Sequence, residues 1–163
     1  MNSVTDNLKV KIEYFNFEQD FMEDNIRCIP MIARFKLDGC GIKLKLKEWN
    51  KMTVEERENL ANFSTDSVDE LNAYREYLEK LILQYTKEKP TYLADDQRNT
   101  LWSMTDRLPS QLQEKLSELK MNISTGQWKN LSVLQRYALL KLTRPGHENR
   151  NFPKAMKEFG LIS

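Results

Sequence analysis

Two stretches of this chain start a helix in the same way, and that constrains the fold more than any other feature. The first runs Trp49-Asn50-Lys51-Met52-Thr53-Val54-Glu55-Glu56-Arg57-Glu58-Asn59-Leu60. The second runs Trp128-Lys129-Asn130-Leu131-Ser132-Val133-Leu134-Gln135-Arg136-Tyr137-Ala138-Leu139. Both read W-x-x-(M/L)-(S/T)-V-x-(E/Q)-R-x-x-L, 79 residues apart, with no gap. Thr53 and Ser132 have the chemistry of a helix N-cap, and the Glu or Gln three residues on can return the hydrogen bond. Trp49 and Trp128 are expected to anchor a turn in the core. Arg57 and Arg136 stand where a hydrophobic staple would place an apolar residue, so they are expected to reach a carboxylate or a helix C-terminus. Helix starts converge by local chemistry, so convergence and a true duplication over 46–63 and 125–142 both remain open.

The rest of the chain also reads as helix. Asn16 has the look of a cap for a helix over about 17–26, and Pro30 suits the first position of the next helix, which Gly39 and Gly41 stop. Ser67 with Glu70 opens the longest helix, with Leu71, Tyr74, Leu78, Leu81, Ile82 and Tyr85 on one face, and Lys89-Pro90 ends it. Leu101, Met104 and Leu108 suggest a helix from about Asp96, and Leu112, Leu116 and Leu119 another after Pro109. The last helix is capped by Asn151 and closed by Gly160. Val10 and Ile12, and Ile42, Leu44 and Leu46, alternate with charged residues and could pair as a minor two-stranded ribbon near the N-terminus. The expected fold class is all-α: a single compact multi-helix domain over 1–163, with two pseudo-equivalent helical halves around a long middle helix.

Composition narrows the function classes. The net charge is +1, from 25 basic and 24 acidic residues, which argues against a dedicated nucleic-acid binder. Lys36, Lys43, Lys45, Lys47 and Lys51 crowd one short stretch, and the expectation for them is a solvated face. Cys28 and Cys40 fit neither a redox pair nor a zinc ribbon, so buried free thiols in a reducing compartment are expected. No signal peptide and no apolar run of ~20 residues is present, which points to a cytoplasmic protein without a membrane span.

The catalytic inventory is thin. His147 is the one histidine, and no phosphate-binding loop, dinucleotide fingerprint, zinc-protease motif or nucleophile elbow occurs. Scattered thiols and one imidazole make a poor zinc site, so no metal and no cofactor are expected. The tryptophans Trp49, Trp102 and Trp128 read as core. The densest polar cluster is Arg144-Pro145-Gly146-His147-Glu148-Asn149-Arg150-Asn151. Arg144 at a helix C-terminus and Asn151 as a cap explain part of it. Arg144, His147, Glu148, Asn149 and Arg150 remain a candidate ligand or partner surface, against the plainer reading of a structural loop. Catalysis there is the weakest option, because the single histidine lacks an evident orienting partner.

With these segments laid out, the chain resembles the nitrate reductase-associated protein family. The resemblance lies in FNFEQDFMEDNIRCIPMIARFKLDGCGIKL (15–44), in the Trp49 segment and in WKNLSVLQRYALLKLTRPGHENRNFPKAMKEFGL (128–161), with RPGHENRNF its most distinctive piece. It implies a small, mainly cyanobacterial-type protein whose genes tend to lie near those for nitrate reductase and molybdenum-cofactor synthesis, and it supplies no catalytic residues. Three functions follow as expectations. One is an accessory or binding protein acting with nitrate reductase or molybdenum-cofactor maturation proteins. Another is a small-molecule or anion-binding domain, with enzymatic activity open, centred on the RPGHENRN loop. The third is a purely structural or regulatory helical module.

Overall fold

The computed structural model describes residues 12–94, 100–145 and 150–163. Helix accounts for 64% of it, and the fold is all-α with one small two-stranded sheet. The helices are α1 (Gln19–Ile26), α2 (Met31–Cys40), α3 (Leu46–Lys51), α4 (Val54–Asn62), α5 (Val68–Thr86), α6 (Ser110–Glu118), α7 (Thr125–Asn130), α8 (Val133–Leu142) and α9 (Phe152–Glu158). Short 3-10 turns, Asn16–Glu18 and Leu101–Ser103, precede α1 and α6. Among the described residues, no helix is long and apolar enough to cross a membrane. Packing divides the chain into two compact units, and the described residues through 94 form the first and those from 100 the second.

In the first unit, α2 packs on α4 and on the long helix α5, which also contacts α3. Ile26, Ala33, Trp49, Leu60, Leu78 and Ile82 lie at the centre of its core. Tyr74 is buried there and its hydroxyl donates to Leu60 O at 2.6 Å. Burial, with Cys40 and Tyr77 nearby, pushes that phenol well above its ordinary pKa. In the second unit, α8 packs on the Leu101–Ser103 turn, on α9 and on α6. Trp128, Tyr137, Leu139 and Phe152 are fully buried there.

Several local expectations are corrected. Asn16 is not a cap; the chain turns at Phe15, whose N–H is held by the Glu18 carboxylate at 3.0 Å. The other oxygen of Glu18 takes the Met31 N–H at 2.7 Å, so one buried carboxylate closes two helix starts. Pro30 is the N-cap of α2 rather than its first residue, and Gly39 lies inside the helix. The left-handed φ of 75° that ends α2 belongs to Gly41 alone. Trp49 sits on a helix, not in a turn. The helix expected from about Asp96 begins outside the described residues, over 95–99; from Thr100 on the chain forms only the 3-10 turn, where the carbonyls of Trp102 and Met104 are taken by side chains from downstream.

The ribbon has a different second strand. Strand β1 (Ile42–Lys43) pairs antiparallel with β2 (Thr91–Tyr92), with Ile42 opposite Tyr92 and Lys43 opposite Thr91. Leu93 N–H adds a bond to Gly41 O at 2.9 Å. The expected partner, 9–13, lies outside the described residues up to 11, and residues 12 and 13 form no strand. Pro90 favours an extended chain before it, and Thr and Tyr suit a strand after it. Arg75 lies 4.8 Å from the Tyr92 ring centroid, and the Tyr92 hydroxyl donates to Glu79.

Helix bounds repeat at the 79-residue offset well beyond the twelve-residue pattern. Helices α3 (Leu46–Lys51) and α7 (Thr125–Asn130) correspond end to end. Helices α4 and α8 start at Val54 and Val133. Pro30 and Pro109 are the N-caps of α2 and α6. Gly41 and Lys120, which follow those helices, both have left-handed backbone, with φ of 75° and 55°.

Candidate functional site

Each copy of the repeated pattern folds into a clamp on the backbone of an earlier segment. Thr53 Oγ1 accepts from Glu56 N at 3.1 Å, and Glu56 Oε1 accepts from Thr53 N at 2.8 Å. Ser132 and Gln135 make the same two bonds at 3.1 and 2.9 Å. These boxes fix where α4 and α8 begin, and so where Arg57 and Arg136 emerge.

In the first clamp, Trp49 Nε1 donates to Ile26 O at 2.7 Å. Arg57 donates from all three of its nitrogens: Nε to Trp49 O at 3.0 Å, Nη1 to Asn25 O at 2.8 Å and Nη2 to Asn50 O at 2.9 Å. Two of those carbonyls close α3 and one closes α1, so the guanidinium satisfies helix C-termini. Asn25 and Ile26 have φ of 61° and 60°. Left-handed backbone at a buried β-branched residue is strained, and the two side chains hold these carbonyls where the strain places them.

The second clamp is built alike. Trp128 Nε1 donates to Met104 O at 2.6 Å. Arg136 donates through Nε to Trp102 O at 2.6 Å and through Nη1 to Leu131 O at 2.5 Å and Lys129 O at 3.3 Å. Trp102 is half-buried and meets the Tyr137 ring edge-on, 5.0 Å between centroids. Burial lowers the pKa of both Arg57 and Arg136, yet a guanidinium starts so high that both stay cationic. Their donors are directed at carbonyls, so the two arginines hold the fold and leave little for an anion.

Around the first clamp, Tyr85 Oη donates to Glu56 Oε1 at 2.6 Å. Burial opposes the charge on Glu56, but the hydrogen bonds from Tyr85 and Thr53 prevail and hold its carboxyl below the ordinary value. Lys36 Nζ donates to Ala61 O at 2.7 Å and Phe63 O at 2.6 Å, closing the end of α4. Burial pulls its pKa down, partly offset by Asp66 and Glu13. Lys36 therefore leaves the group of solvated lysines and acts as a C-cap. Cys40 is buried, but Cys28 is only half-buried, against the expectation for both thiols.

The RPGHENRN loop is partly visible. Arg144 is exposed, and its N–H closes the last turn of α8 on Lys141 O at 3.3 Å. Arg150 is exposed, and Asn151 is the buried N-cap residue of α9, without a side-chain cap bond. Gly146, His147, Glu148 and Asn149 lie outside the described residues. Among the described residues, no group of three or more His, Cys, Asp or Glu side chains could hold a metal ion.

The family model described as conserved nitrate reductase-associated protein matches residues 14–159. The chain belongs to that family. Its matched span takes in both clamps and the RPGHENRN loop. No curated protein and no solved structure matches this member of the nitrate reductase-associated family.

Sequence reasoning missed three things in this member of the family: the acceptors of the Trp and Arg side chains, the carboxylate bridge at Glu18, and the upstream reach of the repeat. The last had a signal. Pro30 and Pro109, Leu37 and Leu116, and Glu48 and Gln127 all stand at the same offset as the two tryptophans.

Proposed function

We propose that this chain is an accessory or binding protein in nitrate assimilation, acting with nitrate reductase or with the maturation of its molybdenum cofactor. The family match over residues 14–159 carries the reading. Four buried or hydrogen-bonded charged side chains add to it. Arg57, Arg136 and Glu18 are bonded to backbone, and Glu56 to backbone and to the Tyr85 hydroxyl, which suits a scaffold that presents a surface. Cys28 and Cys40 are thiols not joined in a disulfide, which favours a reducing compartment, and we place the protein in the cytoplasm. The experiment is affinity purification of the tagged protein from nitrate-grown cells of its own organism. Nitrate reductase or a cofactor-maturation enzyme should co-purify in stoichiometric yield, and their clean absence would reject the reading.

A second reading has one observation behind it. Arg144 and Arg150 lie in the RPGHENRN loop on either side of residues 146–149, both exposed and neither with an ion pair among the described residues. Two exposed guanidinium groups at one loop suit an anion. Nitrate, nitrite, molybdate and a pterin are the ligands to titrate. One present at a hundred times its Kd should stabilise the fold by ~2.7 kcal/mol. No thermal shift with any of them removes this reading and leaves the first untouched.

A further inference from the structure

We infer that Lys43, Lys45, Lys47 and Lys51, with Leu46 among them, form a docking face for an acidic surface of a partner protein. The inference rests on the accessory reading above and names the face and the sign of charge that would carry it.

The four lysines are exposed, and among the described residues none of their ammonium groups takes part in an ion pair. The one acidic residue between them, Glu48, is buried, and its Oε1 is spent on Lys45 N–H at 2.9 Å. The stretch therefore shows only positive charge outward. Its setting is the opposite. Outside residues 43–51, the first unit has 8 basic residues against 15 acidic ones over 12–94.

The second copy of the repeat is an internal control. At the 79-residue offset, Lys43, Lys45, Lys47 and Lys51 face Asn122, Ser124, Gly126 and Asn130. The helix is the same length in both copies, so the scaffold does not need the lysines. The second copy has lysines only at other positions, Lys120 and Lys129. Position 45 is the most telling. Ser124 caps α7 by accepting from Gln127 N at 3.1 Å, whereas Lys45 makes no side-chain cap bond to α3. The first stretch carries a charge where the second carries a capping hydroxyl.

Leu46 decides between partner classes. It is 50% exposed, between Lys45 and Lys47. A nucleic-acid backbone offers an exposed leucine little, and the acidic remainder of the unit repels a long polyanion. A protein surface with carboxylates around an apolar contact satisfies both the lysines and the leucine.

The test compares the wild-type protein with the variant Lys43→Asn, Lys45→Ser, Lys47→Ala, Lys51→Asn for binding to purified nitrate reductase of the same organism. The variant should bind roughly tenfold more weakly at low salt, since four exposed charge pairs each contribute a fraction of that factor. The difference should vanish at high salt. Its melting temperature should not fall, because Lys45→Ser restores a cap, so lost binding is not lost folding. Leu46→Ser should weaken binding without changing the salt dependence. Equal affinity of wild type and variant overturns the face. A second arm uses a synthetic peptide of glutamate and leucine, followed by NMR on the wild-type protein. Peptide shifts at the four lysines without reductase binding keep the face and reject the reductase as its partner. No binding in either arm overturns the face, and tighter binding of duplex DNA or phosphatidylserine vesicles through the same lysines overturns the partner class.

Discussion

Trp49 and Arg57 converge on two adjacent carbonyls, the indole on Ile26 at 2.7 Å and the guanidinium on Asn25 at 2.8 Å. Trp128 and Arg136 treat Met104 and Trp102 in the same way. The repeated sequence pattern thus corresponds to a repeated piece of hydrogen bonding, and its members can be tested one at a time.

Arg57→Met should be among the most destabilising single changes in the first unit. It removes the guanidinium from the carbonyls of Asn50 and Asn25 and leaves that of Trp49 with the Met52 N–H alone. Urea unfolding should show a loss of about 3 kcal/mol, given three charge-assisted hydrogen bonds lost from one buried guanidinium. Trp49→Phe, which leaves only the Ile26 carbonyl unpaired, should cost about 1–3 kcal/mol. If Arg57→Met cost less than Trp49→Phe, the guanidinium would not be the centre of the clamp.

Lys120 and Gly41 occupy equivalent left-handed positions, and only one of them is glycine. Lys120→Gly relieves about 1 kcal/mol of backbone strain, partly offset by a more flexible unfolded chain. A small gain in melting temperature is expected, and Gly41→Lys should reduce stability by about 1–2 kcal/mol. The opposite signs measured by calorimetry check the equivalence directly.

Lys45→Ser alone should raise stability by about 0.5–1 kcal/mol by capping α3 as Ser124 caps α7. A loss of stability would show that the lysine stem has a packing role and would weaken the case for a functional charge.

The Tyr85–Glu56 bond predicts an acid-side effect. The folded pKa of Glu56 is depressed, so its contribution is full above the ordinary glutamate value and is lost as pH falls through the folded one. Tyr85 moves the other way, its pKa raised chiefly by the same bond. Tyr85→Phe should move the Glu56 titration upward in an NMR pH series and flatten the acid limb of the stability curve. An unmoved Glu56 titration would remove the hydrogen bond as its cause.

Much of the helical framework was legible because caps are written in side chains. Thr53, Ser67 and Ser132 start helices as their chemistry requires, and Gly160 closes the last one with φ of 74° and a Leu161 N–H to Met156 O bond at 2.9 Å. What stayed hidden involves the main chain. Every residue carries a carbonyl, so nothing marked Ile26, Asn25, Trp102 or Met104 as the targets of Trp and Arg. The spacing of Leu101, Met104 and Leu108 imitates a helix, but those carbonyls are needed elsewhere. The start of α3 was invisible because Lys45 is not a capping residue. At the candidate loop, the sequence singled out Arg144 and Arg150, and the structure leaves both exposed. Lys43, Lys45, Lys47 and Lys51 are exposed as the sequence led one to expect, and only the matching helix bounds made visible that the second stretch carries the same scaffold without them.

The reach of the clamps bears on how the chain is made. Trp49 bonds 23 residues back and Arg57 32 residues back, while Trp128 and Arg136 reach 24 and 34. On the ribosome, the Asn25 carbonyl therefore cannot receive its bond until Arg57 has left the exit tunnel, nor the Trp102 carbonyl until Arg136 has. Each unit waits for its own arginine, and a nascent chain stalled just short of either one leaves an unclosed segment with free carbonyls open to a chaperone or a protease.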